Sequence, residues 1–230
     1  MPIKRPYKRT ILFLFHVIIR RLSETLVLVS DEAWANPAQL ARDLNASIYP
    51  GVEEVVAAYE TLGIYGRPQN GWENWIVTHA SGLVNKAPEA RRHEIPVCYE
   101  IGEDLDDIAG ELGQGREEVI AHHLDAVYKC FAVGFQPGFG YLGPLPPPLR
   151  GLPRRTSPRT RVEPGAVGIC QNQTAVYPSA SPGGWNLIGR CPLCLVDVDS
   201  SYFPIEAGDL VQFRRISEDE FARLRWHRLN

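Results

Sequence analysis

Four arginines crowd one short loop: Arg154, Arg155, Arg159 and Arg161, interleaved with Pro153 and Pro158. A guanidinium binds a carboxylate or a phosphate through two parallel hydrogen bonds, so such a loop suits anion recognition. Arg154 and Arg159 each follow a proline, whose fixed φ limits where the next side chain goes. Those two are the candidates, and Arg155 and Arg161 read as a solvated basic surface. Downstream, Gln173 offers an amide that suits the edge of an amide or lactam, Tyr177 precedes Pro178, and Arg190 closes the run Ser181-Pro182-Gly183-Gly184-Trp185-Asn186-Leu187-Ile188-Gly189-Arg190. His123 ends a helical pattern just before Tyr128. It is either a proton carrier or a core imidazole with both nitrogens satisfied. Trp185 is likewise either a ligand platform or core.

These groups need elements that bring them together, and the turns supply the signal. Gly134-Phe135-Gln136-Pro137-Gly138-Phe139-Gly140-Tyr141-Leu142 alternates glycine and proline with aromatic rings. No helix tolerates that density of Gly and Pro. The backbone must turn sharply while the rings stay buried or line a cleft, which nominates Phe135, Pro137, Phe139 and Trp185 as lining. The stretch Val162-Glu163-Pro164-Gly165-Ala166-Val167 and the Ser181 run read the same way. Three such segments between residues 134 and 190 imply turns that return to one place.

Composition narrows the class. The 230 residues carry a formal charge of -3, with 44% hydrophobic and 22% charged residues. Such a chain fits one large or two small globular domains and has no global pull toward nucleic acid or anionic lipid. Five cysteines without framework spacing read as thiols of a reducing compartment, hence the cytoplasm. No glycine precedes a lysine, so there is no phosphate-binding Walker loop, and no Gly-x-Ser-x-Gly elbow exists. The only methionine is Met1, which excludes a Met-Lys-Met biotin site. Cys191-Pro192-Leu193-Cys194 is a lone pair without two further zinc ligands at a usable spacing, so no structural metal is expected.

The elements follow in order. Lys4, Arg5, Lys8 and Arg9 precede an apolar run, Ile11 to Ile19, that His16 interrupts and Arg20-Arg21 closes. It is too short to span a bilayer and lacks a cleavage site. Residues 1–22 therefore read as a dispensable extension. Strand, helix, strand, strand, helix, strand follow. Strand-like runs lie at 24–29, 52–58, 61–65 and 94–99. One helix is capped by Asn36 with Pro37 at its first position, and a second carries Trp72, Trp75, Ile76, His79 and Leu83 on one side. That order predicts a ferredoxin-like α/β sandwich over 23–100. Two short helices, 104–112 and 116–124, read as a connector over 101–126. They are not a DNA reader, since Glu117 and Glu118 would face phosphate. Short strands at 128–133, 167–170, 174–177, 187–188, 193–198 and 209–213 predict a closed β-barrel over 127–216, with 217–230 as a tail.

His123 and Tyr128, then Gly134 to Leu142, resemble the B-subunit family of bacterial 5-oxoprolinase. That family is also called allophanate hydrolase subunit 1, and it includes the sporulation-kinase inhibitor KipI. The likeness runs on through Pro153-Arg154, Pro158-Arg159-Thr160-Arg161-Val162, Gln173-Thr174, Tyr177-Pro178 and the Ser181 to Arg190 run, and includes Ile95 to Tyr99. Gln171-Asn172 stand where the family has a glycine-rich run, Val162-Glu163-Pro164-Gly165 replaces Val-Pro-x-Gly, and Cys191 replaces a threonine. The resemblance implies an α+β chain: a small ferredoxin-like domain and a cyclophilin-like β-barrel. It implies a protein that works with the family's A and C subunits, the latter carboxyltransferase-like, to hydrolyse 5-oxo-L-proline to L-glutamate with ATP. In that setting His123 and Gln173 would be catalytic, and Arg154, Arg159, Tyr177 and Arg190 would hold substrate or phosphate. The family also implies two alternatives: a KipI-like regulatory binding module that inhibits a histidine kinase, or a component of urea and allophanate metabolism.

Overall fold

The computed structural model describes residues 11–14, 17–31, 34, 36–47, 49–83 and 90–229. The basic residues Lys4 to Arg9 and His16 lie outside them, as do the side chains of Ile11 to Leu14 and of Leu83. The chain divides into two compact units, residues 1–89 and 90–230.

The first unit is a five-stranded antiparallel sheet with two helices. Its strands are β1 (Ile11–Leu14), β2 (Val17–Arg21), β3 (Leu26–Ser30), β4 (Val52–Ala58) and β5 (Thr61–Gly66), in spatial order β1-β2-β3-β5-β4. Helix α1 (Pro37–Ser47) begins as its residues demand: the Asn36 side chain accepts the Gln39 N–H, and Pro37 sits at the first position. It buries Leu40, Ala41 and Leu44. Helix α2 (Trp72–Leu83) buries Trp72 and Ile76.

Two expectations are corrected here. The run within residues 1–22 is not outside the fold, because β2 pairs with β3 from Ile18↔Ser30 to Arg21↔Val27 and buries Val17 and Ile19. An exposed β3 edge would leave a row of unpaired amides, and β2 covers it. The strand expected at 94–99 does not join this sheet. It is β6 (Arg92–Val97) of the second unit, so the four-stranded ferredoxin-like pattern is not completed within the first.

The second unit contains α3 (Leu105–Leu112), α4 (Arg116–Leu124), β7 (Val127–Val133), β8 (Gly140–Gly143), β9 (Arg159–Val162), β10 (Ala166–Cys170), β11 (Gln173–Val176), β12 (Ser181–Gly183), β13 (Asn186–Arg190), β14 (Leu210–Arg215) and α5 (Glu218–Leu224). Seven strands form one sheet, in order β13-β10-β11-β8-β7-β14-β6, with β6 and β14 parallel. Its two edges meet: Cys98 and Arg190 exchange both backbone hydrogen bonds at 2.9 Å. The sheet thereby becomes a nearly closed barrel, as the run of short strands predicted.

Alternation along each strand sorts side chains into two sets. Ile95, Val97, Tyr128, Cys130, Leu142, Val167, Ile169, Val176, Ile188, Val211 and Phe213 fill the interior. Leu105, Ile108, Val119 and Ile120 of α3 and α4 join the same core, so the pair is part of this unit rather than a connector. No strand forms over 193–198, where only isolated bridges to Arg228 and Tyr202 occur. Pro192 precedes that segment and cannot donate to a ladder. The tail is likewise folded over residues 217–229. Ser217 caps α5 by accepting the Glu220 N–H, and Leu229 is buried, its carbonyl accepting from the Tyr202 hydroxyl at 2.9 Å.

Candidate functional site

The alternate residues of the same strands build a second cluster outside the barrel interior. Phe139, Val162, Ala166, Cys170, Ala175, Tyr177, Trp185 and Leu187 are buried there, with Tyr141 packed against them. The rings meet edge to face: Phe139 lies 5.2 Å from Tyr177, 5.7 Å from Trp185 and 5.0 Å from Tyr141. Their quadrupoles favour that arrangement. Strand parity follows the register: Thr174 pairs with Leu142 and points inward, so Gln173 and Ala175 share the outer face with Tyr141.

The glycines explain why this cluster closes. A Cβ at Gly183 would stand 2.6 Å from the Tyr177 hydroxyl and 2.9 Å from a Val162 methyl. Gly138 adopts φ +76 and passes over Val196. Phe135 adopts φ +70 with its ring outward, a conformation a bulky residue rarely takes. It remains exposed and touches only the edge of Phe139, at 5.3 Å between centroids. Pro137 is exposed beside it. The turn between β7 and β8 thus places one ring in the cluster and presents another to solvent.

Polar groups border the aromatic face. Tyr177 is buried, and burial pushes its phenol up, offset in part by a hydrogen bond from the Trp185 backbone. Burial also raises the Cys170 thiol, against a smaller pull from the nearby Arg154 guanidinium. Arg154 is otherwise exposed, and Gln173 and Tyr141 are half-buried. The face therefore offers a cation, an amide and a phenol around a stack of rings, a set suited to a small planar molecule bearing a carboxylate.

The remaining candidates go elsewhere. His123 is fully buried on the inner side. Its Nδ1 meets the Tyr99 hydroxyl at 2.7 Å and its Nε2 meets Thr174 Oγ1 at 3.0 Å. Thr174 gives its one hydroxyl proton to the Gly168 carbonyl at 3.1 Å, so it accepts from Nε2, and Nδ1 accepts from Tyr99. Burial pushes the His123 pKa down to about 3. Phe213 stacks on the ring at 4.4 Å. This is the core alternative of the two readings: the ring is buried and both nitrogens are committed.

Arg159 is engaged by two acidic neighbours. Its Nη2 bonds Asp104 Oδ1 at 2.6 Å and its Nε bonds Glu103 at 3.2 Å. Arg155, which reads as plain surface in the sequence, bonds the same Asp104 oxygen at 2.7 Å. Asp104 carries no local signal except its place ahead of α3, and it is buried. Arg190 gives its Nε to the Pro164 carbonyl at 3.0 Å and so pins a turn. The structure thus gathers Gln173, Tyr177, Arg154, Phe139 and Trp185 and leaves His123 inside the barrel, while Arg190, opposite Ala166, is committed to the Pro164 carbonyl. Among the described residues, no group of three or more His, Cys, Asp or Glu is placed to hold a metal. All five cysteines are free.

Residues 18–204 match the family described as carboxyltransferase domain, subdomain C and D, and the chain belongs to that family. It is 44% identical to the 5-oxoprolinase B subunit of Bacillus subtilis over 131 residues, 56% of this chain and 54% of that one. It spans about half the length of that relative. Similarity to the urea amidolyase of Saccharomyces cerevisiae is 32% over 195 residues, 74% of this chain and 10% of that one. Among solved structures, TTHA0988 superposes with a TM-score of 0.71 at 35% identity, covering 83% of this chain and 40% of that chain.

Proposed function

We propose that the chain is the B subunit of an ATP-dependent 5-oxoprolinase. It would act with homologues of the A and C subunits in the cytoplasm to convert 5-oxo-L-proline to L-glutamate. The observation that carries this reading is the 44% identity to a 5-oxoprolinase B subunit. The outer face supports it chemically. A five-membered lactam with one carboxylate matches a ring stack bordered by Arg154 and Gln173. Arg154 would take the carboxylate, Gln173 the amide edge, and Phe139, Tyr141 and Trp185 would exclude water from the ring.

A lactam carbonyl is a weak electrophile. ATP supplies the activation by phosphorylating the amide oxygen. Water would then add to the carbon and the C–N bond break, freeing the amine and leaving an acyl phosphate, which a second water would cleave to carboxylate and inorganic phosphate. Nucleotide binding belongs in this scheme to the assembled complex, since this chain has no Walker loop. No proton step is routed through His123, whose nitrogens are both committed inside the core.

The test is glutamate release from 5-oxoproline by this chain alone, by the two partner homologues, and by all three together. Turnover is expected only with all three and ATP. Activity of the three-part mixture on urea or allophanate, with none on 5-oxoproline, would replace this reading with the urea one. Turnover by this chain alone would overturn its dependence on partners.

A further inference from the structure

Asp104 is buried beside the start of β13, where its Oδ2 accepts the Leu187 N–H at 2.6 Å. Its other oxygen accepts both Arg155 Nη1 and Arg159 Nη2, at 2.7 and 2.6 Å. One carboxylate oxygen therefore holds two guanidinium groups together. Their loop is fixed to the β12–β13 junction. The Arg155 N–H donates to the Gly184 carbonyl at 2.8 Å, and Asn186 Nδ2 donates to the Pro153 carbonyl at 3.0 Å.

Asp104 does not satisfy the pair. Among the described residues, four buried side-chain polar atoms lack a partner, and two of them are Arg155 Nε and Arg159 Nη1. A third, Ser181 Oγ, lies on the neighbouring β12. Unmatched buried donors are rare, and on a charged group they are costly. Glu103 is a further acceptor, at 3.2 Å from Arg159 Nε through a single long contact. Its side chain is 59% exposed, whereas that of Arg159 is 18% exposed. Glu103 is thus the movable member of the cluster.

We propose that Arg155 and Arg159, converged by Asp104, form an oxyanion clamp for a carboxylate or phosphate group, and that Glu103 covers it until the ligand displaces it. Asp104 is a positioning residue and touches no ligand. Swinging Glu103 into solvent frees Arg159 Nε beside the unmatched Nη1 of the same guanidinium. The clamp uses neither Arg154 nor the aromatic rings, and it stands whether or not the 5-oxoprolinase reading does.

The experiment titrates the full chain at constant ionic strength, by calorimetry, with three probes. These are inorganic phosphate, 5-oxo-L-proline, and 2-pyrrolidone, the same ring without a carboxylate. In the Arg154→Ala background, which removes the cation assigned to the aromatic face, saturable binding is still expected for phosphate or 5-oxoproline and not for pyrrolidone, and the tighter of the two identifies the oxyanion. Glu103→Gln should tighten binding about three- to tenfold, because the competing internal carboxylate is gone. Arg155→Lys and Arg159→Lys should each weaken it about tenfold or more, because charge is kept and the planar fork is lost. A purely structural ion cluster would not bind more tightly on losing Glu103. No saturable binding by wild type and Glu103→Gln, or no tightening in Glu103→Gln, overturns the clamp. Should Arg159→Lys fail to fold, Glu103→Gln and Arg155→Lys alter partly exposed side chains and decide the matter alone. Lactam hydrolysis by the assembled complex without such binding removes the clamp and keeps the function; binding without hydrolysis does the reverse.

Discussion

At the scale of single residues, His123 shows how burial redirects a reactive side chain. Its ring sits between the Tyr99 hydroxyl and Thr174 Oγ1, and burial holds its pKa at about 3. The unfolded chain protonates this histidine below about pH 6.5, while the folded chain refuses the proton until about pH 3. The unfolded state therefore binds more protons in that window, and stability falls as pH drops through it, by up to about 1.4 kcal/mol per pH unit from this group. His123→Gln should lose that share of the slope between pH 6 and pH 4. It should also cost about 1–3 kcal/mol at pH 7, because one hydroxyl partner is left unmatched. Urea melts of both proteins across that range check this, and identical slopes would show that His123 is not neutral in the fold.

At the scale of elements, edges decide more than propensities do. Strand β2 has a plain apolar run as its sequence, yet it covers β3 and buries Val17 and Ile19. Removing residues 1–21 should lower the melting temperature of the first unit by at least about 5 °C, since two buried aliphatic side chains and a strand ladder are lost. The exposed β3 edge should also promote aggregation. Calorimetry and light scattering of the shortened chain are the measurements, and an unchanged melt would show that β2 adds nothing. The same edge logic explains the other misplaced strand. β6 is apolar on both alternate positions near its end, at Ile95, Pro96 and Val97, which suits the parallel neighbour β14 and a buried position.

At the scale of the whole molecule, each of the two units has its own sheet and its own buried residues. The second unit contains the complete core of the barrel, from Ile95 to Leu229, and the Cys98–Arg190 pair that joins its edges. A chain beginning at Ala90 should therefore unfold in one cooperative transition and keep a near-ultraviolet signal from the buried Trp185. A broad melt with exposed apolar surface, read by dye binding, would show that residues 1–89 complete its core.

Local chemistry was legible in the residues themselves. Asn36-Pro37 announces a helix start, Gly113 ends α3 with φ +65, and the glycine-aromatic alternation of 134–142 announces a turn that buries rings. The short strands and their spacing announced a barrel, and the order of motifs announced a family. These signals are local because capping, φ and alternation act over a few residues. Pairing was not legible. Nothing near Arg92 says that its strand runs beside Leu210, and nothing near Arg155 says that it shares Asp104 with Arg159. Nor did spacing show that Thr174 faces inward to His123 while Gln173 faces outward to Tyr141. Those outcomes depend on register across more than a hundred residues in one case and tens of residues in the others. A strand shifted by one residue inverts every side chain it carries, so only the assembled sheet decides which groups meet.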